Sequence, residues 1–173
     1  METQAGAMGE EAAVYDVDVI LTPGINIMRN PLCGRNFEYF SEDPVLSGLM
    51  GAAMVNGVQI RGIGTSLKHF VANNQQVNKL NNDSRIPVKA LREIYLKGFE
   101  ICLQHSNPWT VMSSYNKIGG ILTQSNAELL RTVLREEWGY DGLVVSDWYG
   151  KRNSPEQLAV SYTHLTLPTK LEV

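Results

Sequence analysis

The chain has 173 residues, 43% of them apolar, with 15 Lys and Arg against 18 Asp and Glu. That length suits one domain, and that apolar content excludes wholesale disorder. The net charge of -3 gives no electrostatic case for binding nucleic acid or an anionic membrane.

The N-terminus has no basic region followed by an apolar run, so no signal peptide is visible. No apolar run approaches the roughly 20 residues needed to span a bilayer. Cys33 and Cys102 form neither a disulfide framework nor a zinc pattern, and both read as small core residues of a reduced chain. A soluble, cytoplasmic setting is slightly favoured.

In chain order, the first residues read as a helix tail leading into a strand over Val17–Thr22, which ends at Pro23-Gly24. A helix follows over 44–59, with Asp43 as N-cap and Pro44 at its first position. Its apolar residues Val45, Leu49, Ala52 and Leu46, Met50, Ala53 fall at helical spacing. Gly62-Ile63-Gly64 precedes the next strand instead of following one, so it reads as a turn and not as a dinucleotide fingerprint. The second strand covers 66–70. The polar stretch from Asn73 to Arg85 reads as a surface loop.

A second helix is predicted over 88–105, with Leu91, Tyr95, Phe99 and Cys102 on one stripe. A strand over 110–115 comes next. The third helix opens at a capping box, Ser125-Asn126-Ala127-Glu128, buries Leu130, Val133, Leu134 and Trp138, and stops at Gly139. The last strand covers 143–148. Alternating strands and helices predict an α/β fold of right-handed βαβ units on a parallel sheet.

Polar residues gather at the strand ends. Lys68, His69, Tyr115 and Asp147 lie at or just past the C-terminal ends of apolar strands, the rim that carries active sites in parallel α/β folds. Each has a structural reading beside a chemical one. Asp147 can be a nucleophile, a base, a metal ligand or a helix N-cap. Lys68 can hold a hydroxyl, neutralise a carboxylate, form a Schiff base or sit in a rim salt bridge. His69 and Tyr115 can act at a site or simply satisfy the core. Arg35 follows a glycine in a turn and alone reads as a surface residue. Trp148 is a stacking platform for a sugar or a core residue. Together they describe a polar pocket suited to a polyhydroxylated ligand.

The order of five motifs narrows this. They are Pro23-Gly24-Ile25-Asn26-Ile27, the run Gly34-Arg35-Asn36-Phe37-Glu38-Tyr39-Phe40-Ser41-Glu42-Asp43-Pro44, Lys68-His69-Phe70, Met112-Ser113-Ser114-Tyr115-Asn116 and Val144-Val145-Ser146-Asp147-Trp148. Over roughly residues 8–159 the chain resembles the N-terminal catalytic barrel of glycoside hydrolase family 3, on its β-glucosidase branch. The resemblance implies about four βα units of a TIM (β/α)8 barrel, within a domain fragment covering residues 1–159. It implies a retaining exo-β-glucosidase with no cofactor and no metal, acting on a small β-glucoside or oligosaccharide. By motif, Asp147 is the nucleophile. Arg35, Lys68, His69 and Tyr115 hold the terminal sugar or orient the nucleophile, and Met112 and Trp148 line the same subsite.

The second carboxyl, about 5–5.5 Å from the nucleophile in a retaining enzyme, usually comes from a following α/β domain in this family. No glutamate of this chain matches it. An Asp loop that grips the sugar lies upstream of Met1 in relatives. The isolated chain is therefore expected to be inactive and poorly soluble.

After Lys68-His69-Phe70 the chain reads Val71-Ala72-Asn73-Asn74, without the Pro-Gly-His-Gly run of the family's N-acetylglucosaminidases. Trp148 and Asn36-Phe37-Glu38-Tyr39 favour glucosidase over the β-xylosidase and arabinosidase relatives of the family. Readings from other classes are a non-catalytic sugar-binding domain and a Schiff-base lyase using Lys68. From Val160 the sequence looks like a translated sequencing adapter, so residues 160–173 are expected to be non-native.

Overall fold

A computed structural model describes residues 1–150 and 155–159. The expected break at Val160 and the 160–173 tail lie outside the described residues.

Four strands form a parallel sheet: β1 (Val19–Ile20), β2 (Gly64–Phe70), β4 (Thr110–Ser113) and β7 (Leu143–Val145), in the order β1-β2-β4-β7. The expected strand, helix alternation thus holds, with strands shorter than predicted at both ends of the sheet. All residues of β4, and all of β2 except the partly buried Lys68, are buried, as in parallel strands covered on both faces.

Three further two-residue strands, β3 (Asp83–Ser84), β5 (Lys117–Ile118) and β6 (Ile121–Leu122), make a small second sheet. It corrects the reading of 73–85 as loop throughout. The β5–β6 turn is Gly119-Gly120, both at positive φ, as a tight hairpin requires. Strands this short carry no periodicity to read.

Helix α1 (Glu2–Val14) packs on α2 (Pro44–Gln59), and α2 packs on α4 (Lys97–His105). The ends of α2 are as predicted, and Asp43 Oδ1 accepts from the Val45 and Leu46 N–H groups at 2.7 and 2.9 Å. Of the six apolar residues noted at helical spacing, only Ala52 is buried. Val45, Leu46 and Leu49 are about half exposed, while Gly48, Gly51, Ala52, Val55 and Gly57 are buried. The reason is close helix contact. A Cβ on Gly48 would lie 2.7 Å from the Gly98 carbonyl oxygen, and one on Gly57 would lie 2.4 Å from the Glu2 oxygen. Small residues let the backbones approach, and the large ones are turned outward.

The helix predicted over 88–105 is three pieces: α3 (Val88–Ala90), a π-helical turn over Leu91–Tyr95, and α4. The Leu96 N–H reaches back to the Leu91 carbonyl at 2.8 Å, an i→i+5 bond. The predicted third helix is π-helical over Glu128–Glu137. Its cap is Asn126, whose Oδ1 accepts from Leu129 N–H at 3.2 Å, and not the expected Ser125. It ends at Gly139 in the left-handed region, φ +68, as predicted. A short helix α5 (Pro155–Ala159) follows the last strand.

The main core joins Ile25, Leu67, Phe70, Leu96, Phe99, Cys102, Val111, Leu130, Leu134 and Val144. Cys102 is fully buried, and desolvation pushes its thiol up to about 12. Thiolate is the reactive form, so alkylation of the folded protein at pH 8 is expected to modify the partly exposed Cys33 and spare Cys102. Equal labelling rates, read by peptide mass, would contradict this packing. Among the described residues, no helix is long and apolar enough to cross a membrane.

Candidate active site

The site is built at the C-terminal ends of β2, β4 and β7 and on the loop after β1. That loop keeps pairing with β2 past the end of β1: Lys68 N–H donates to the Pro23 carbonyl at 2.9 Å, and Ile25 N–H to the Lys68 carbonyl at 2.8 Å. Asn26 then clamps His69. Its amide donates to the His69 carbonyl and its Oδ1 accepts from the His69 N–H, both at 2.9 Å. The β2–β4 register shifts between Leu67 and Phe70. Adjacent residues of a regular strand face opposite sides. At this irregularity both Lys68 and His69 reach charged partners of the site.

His69 is 1% exposed. Its Nδ1 lies 3.3 Å from Asn26 Oδ1 and 3.4 Å from the Tyr39 hydroxyl. Its Nε2 lies 3.9 Å from Asp147 Oδ2. Burial, with the nearby charges of Arg35, Lys68 and Lys79, holds the imidazole well below its ordinary pKa. It is therefore neutral at pH 7, and its approach to Asp147 is not an ion pair.

Asp147 follows β7 and is 4% exposed. Oδ1 accepts from the Trp148 N–H at 2.8 Å, and Oδ2 is buried without a hydrogen-bond partner. Burial raises the carboxyl above its ordinary value. The Tyr115 hydroxyl, the Trp148 N–H, Arg35 and Lys79 oppose that rise. Tyr115 is buried and its phenol is pushed up, chiefly by desolvation. It keeps its proton to donate to Asp147 while accepting from the Tyr149 N–H at 3.2 Å.

A second group joins Arg35, Glu38 and Lys68. Arg35 Nε bonds Glu38 Oε1, and Lys68 Nζ is 3.3 Å from Glu38 Oε2. Burial works against the Arg35 charge, and the Glu38 hydrogen bond with surrounding negative groups outweighs it, so Arg35 stays charged. Lys79 lies over the Tyr115 ring, 4.9 Å from its centroid.

The structure thus brings Asp147, His69 and Tyr115 together and links Arg35 with Lys68. Met112 is buried in β4, paired with Val145 two residues before Asp147. Trp148 is half exposed, next in sequence to Asp147, so it is not a core residue. Sequence reasoning missed the roles of Asn26, Glu38, Tyr39 and Lys79. For Glu38 a signal existed, an acid three residues after Arg35; for Lys79, inside a polar stretch, none did. A cleft of about 550 Å³ lined by Arg29, Asn74, Arg85 and Tyr95 lies apart from these residues. Among the described residues, no group of three or more His, Cys, Asp or Glu could hold a metal ion.

Residues 1–160 match the model of the glycosyl hydrolase family 3 N terminal domain. The chain belongs to glycosyl hydrolase family 3. This family 3 chain is 56% identical over 142 residues to an exo-α-(1→6)-L-arabinopyranosidase of Bifidobacterium longum, covering 82% of this chain and 19% of that protein. It is 49% identical over 148 residues to thermostable β-glucosidase B of Acetivibrio thermocellus, covering 86% and 20%. The structure of β-glucosidase 3B from Thermotoga neapolitana in complex with α-D-glucose matches at a TM-score of 0.92 and 55% identity, covering 95% of this chain and 23% of that one. The chain spans about a fifth of the length of the curated relatives it matches. Its parallel sheet and helices are part of a TIM (β/α)8 barrel, about four βα units of it.

Proposed function

We propose that the whole protein is a retaining exo-β-glucosidase in which Asp147 is the nucleophile. The observation that carries this is the Asp147 carboxylate: buried at the barrel rim, held by one oxygen, with the other unpartnered. An oxygen that no donor occupies is free to form a bond. Oδ2 attacks the anomeric carbon as the glycosidic C–O bond breaks, leaving a covalent glycosyl-enzyme. A second carboxyl protonates the leaving oxygen, then takes a proton from the water that attacks the same carbon and releases Asp147. Glu38 does not fill that second role, because both its oxygens are engaged by cations. The acid/base Glu is assigned to a further α/β domain.

Arg35, Lys68 and the neutral His69 suit donation to sugar hydroxyls, and charged donors make the stronger bonds. The half-exposed Trp148 can cover an apolar ring face, and Met112 lines the floor beside β7. The substrate is a neutral small molecule, with neither nucleic acid nor membrane as partner. Lys68 is ion-paired with Glu38, which suits a fixed ammonium and not a Schiff base. The test is release of glucose from an aryl β-glucoside by the whole protein; binding without turnover would favour a non-catalytic sugar-binding domain.

The Bifidobacterium longum relative favours a second reading, α-L-arabinopyranosidase activity. Such a sugar lacks the hydroxymethyl group of glucose. The ratio of kcat/KM for the aryl β-D-glucoside and the aryl α-L-arabinopyranoside decides between them.

The electrostatics also predict a pH effect. Asp147 must be ionised to attack, so kcat/KM falls as pH drops through its raised pKa. Tyr115 donates the bond that most opposes that rise. Tyr115→Phe is expected to move the acid limb of the kcat/KM profile to higher pH. An unmoved limb, or one moved to lower pH, would contradict the assigned Tyr115–Asp147 contact.

A further inference from the structure

We propose that Glu38 is a positioning residue that locks Arg35 and Lys68 into one sugar-binding unit; this rests on the reading of those two cations as groups that grip the terminal sugar. Arg35 and Glu38 come from the loop after β1, at the two ends of a 3₁₀ turn whose residues are Asn36–Glu38. Lys68 comes from β2. Glu38 ties the two elements together, one carboxylate oxygen to each cation. The three side chains are only 14–22% exposed, so solvent screens them weakly.

Without that carboxylate, two cations would face one ligand with no charge between them, and each would turn away. With it, the contact uses Arg35 Nε and one ammonium proton. An arginine has five donors and an ammonium three. The terminal guanidinium nitrogens and the remaining ammonium protons are therefore left for hydroxyls, in a fixed direction. The neighbouring backbone fits the same purpose. Gly24, which forms a bridge with Lys68, lies where a Cβ would meet the Tyr39 ring at 3.0 Å and Glu38 Oε2 at 3.4 Å. Glu38 and Tyr39 lie directly against the strand because that position has no side chain.

The test is Glu38→Gln in the whole protein, assayed on an aryl β-glucoside. Glutamine keeps the size and loses the charge. The expected result is a rise in KM and a fall in kcat/KM of about 10–100-fold, as for loss of a charged hydrogen bond, with kcat changed less and Tm unaltered. In a Lys68→Met background, the same substitution is expected to cost less than about threefold, because groups that act through one another are not additive. Wild-type kcat/KM in Glu38→Gln, a full multiplicative loss on top of Lys68→Met, or a loss matched by a fall in Tm would each overturn the proposal. Failure of the unsubstituted protein to hydrolyse any aryl glycoside is a different result; it overturns the functional reading and this proposal with it.

Discussion

Asp147→Asn is expected to abolish turnover of an aryl β-glucoside by the whole protein while making the fold more stable. Loss of the attacking oxygen anion removes the covalent route, and kcat is expected to fall at least about 10⁴-fold. The gain in stability follows from the direction of the pKa shift. Burial, the leading cause, raises Asp147 above its ordinary value. Such a carboxyl contributes stability while protonated, and that contribution is lost as pH rises through its folded pKa. At pH 7 the ionised form is therefore a cost to folding. Asparagine removes the cost and can still accept from the Trp148 N–H. The variant should show a higher Tm at pH 7, and the difference should close as pH falls toward 3.8, the ordinary value. Near-parental hydrolysis, or a Tm lowered at pH 7, would contradict the assignment.

Phe70→Ala is the second large effect. Phe70 is fully buried at the end of β2, edge-on to Phe99 at 5.3 Å and to Trp138 at 6.0 Å. Those rings come from α4 and from the end of the Glu128–Glu137 segment, so one side chain joins the sheet to two helical layers. Truncating such a residue costs about 3–5 kcal/mol, from lost transfer energy and the cavity left behind. For a domain of barrel size that is a fall in Tm on the order of 10 °C. Phe70 also follows His69 directly, so kcat/KM is expected to drop with it, whereas the anomeric form of the product should not change. A Tm within 2 °C of the parent, by calorimetry, would be incompatible with this packing; that margin is about the shift of 1 kcal/mol or less.

The alternation of apolar strands and capped helices was readable because each signal is local. Asp43-Pro44 starts α2 where it should, and Gly139 ends the third helix. The choice of buried face on α2 was not readable. It is decided by how closely α1 and α4 approach Gly57 and Gly48, a property of tertiary contact, and the large apolar residues then turn outward against their usual preference. The π-helical geometry over Leu91–Tyr95 and Glu128–Glu137 leaves the same residue pattern as an ordinary helix. At the site, strand-end position pointed to Lys68, His69, Tyr115 and Asp147. It gave no partner for any of them. Asn26 and Glu38 act on β2 from a loop distant in sequence, 43 positions from His69 for Asn26 and 30 from Lys68 for Glu38. Lys79 reaches the Tyr115 ring from a stretch whose polarity marks it only as surface.

The central claim is that Asp147 forms a covalent bond to the sugar. The most direct measurement incubates the whole protein with the dinitrophenyl 2-deoxy-2-fluoro-β-glucoside and maps the adduct by peptide mass; the fluorine slows both oxocarbenium-like steps, and the activated leaving group restores formation alone, so the intermediate accumulates. The account predicts one added fluoroglucosyl group per protein, on the peptide that carries Asp147. A label on any other residue, or hydrolysis of the natural β-glucoside with inversion at the anomeric carbon, would contradict it.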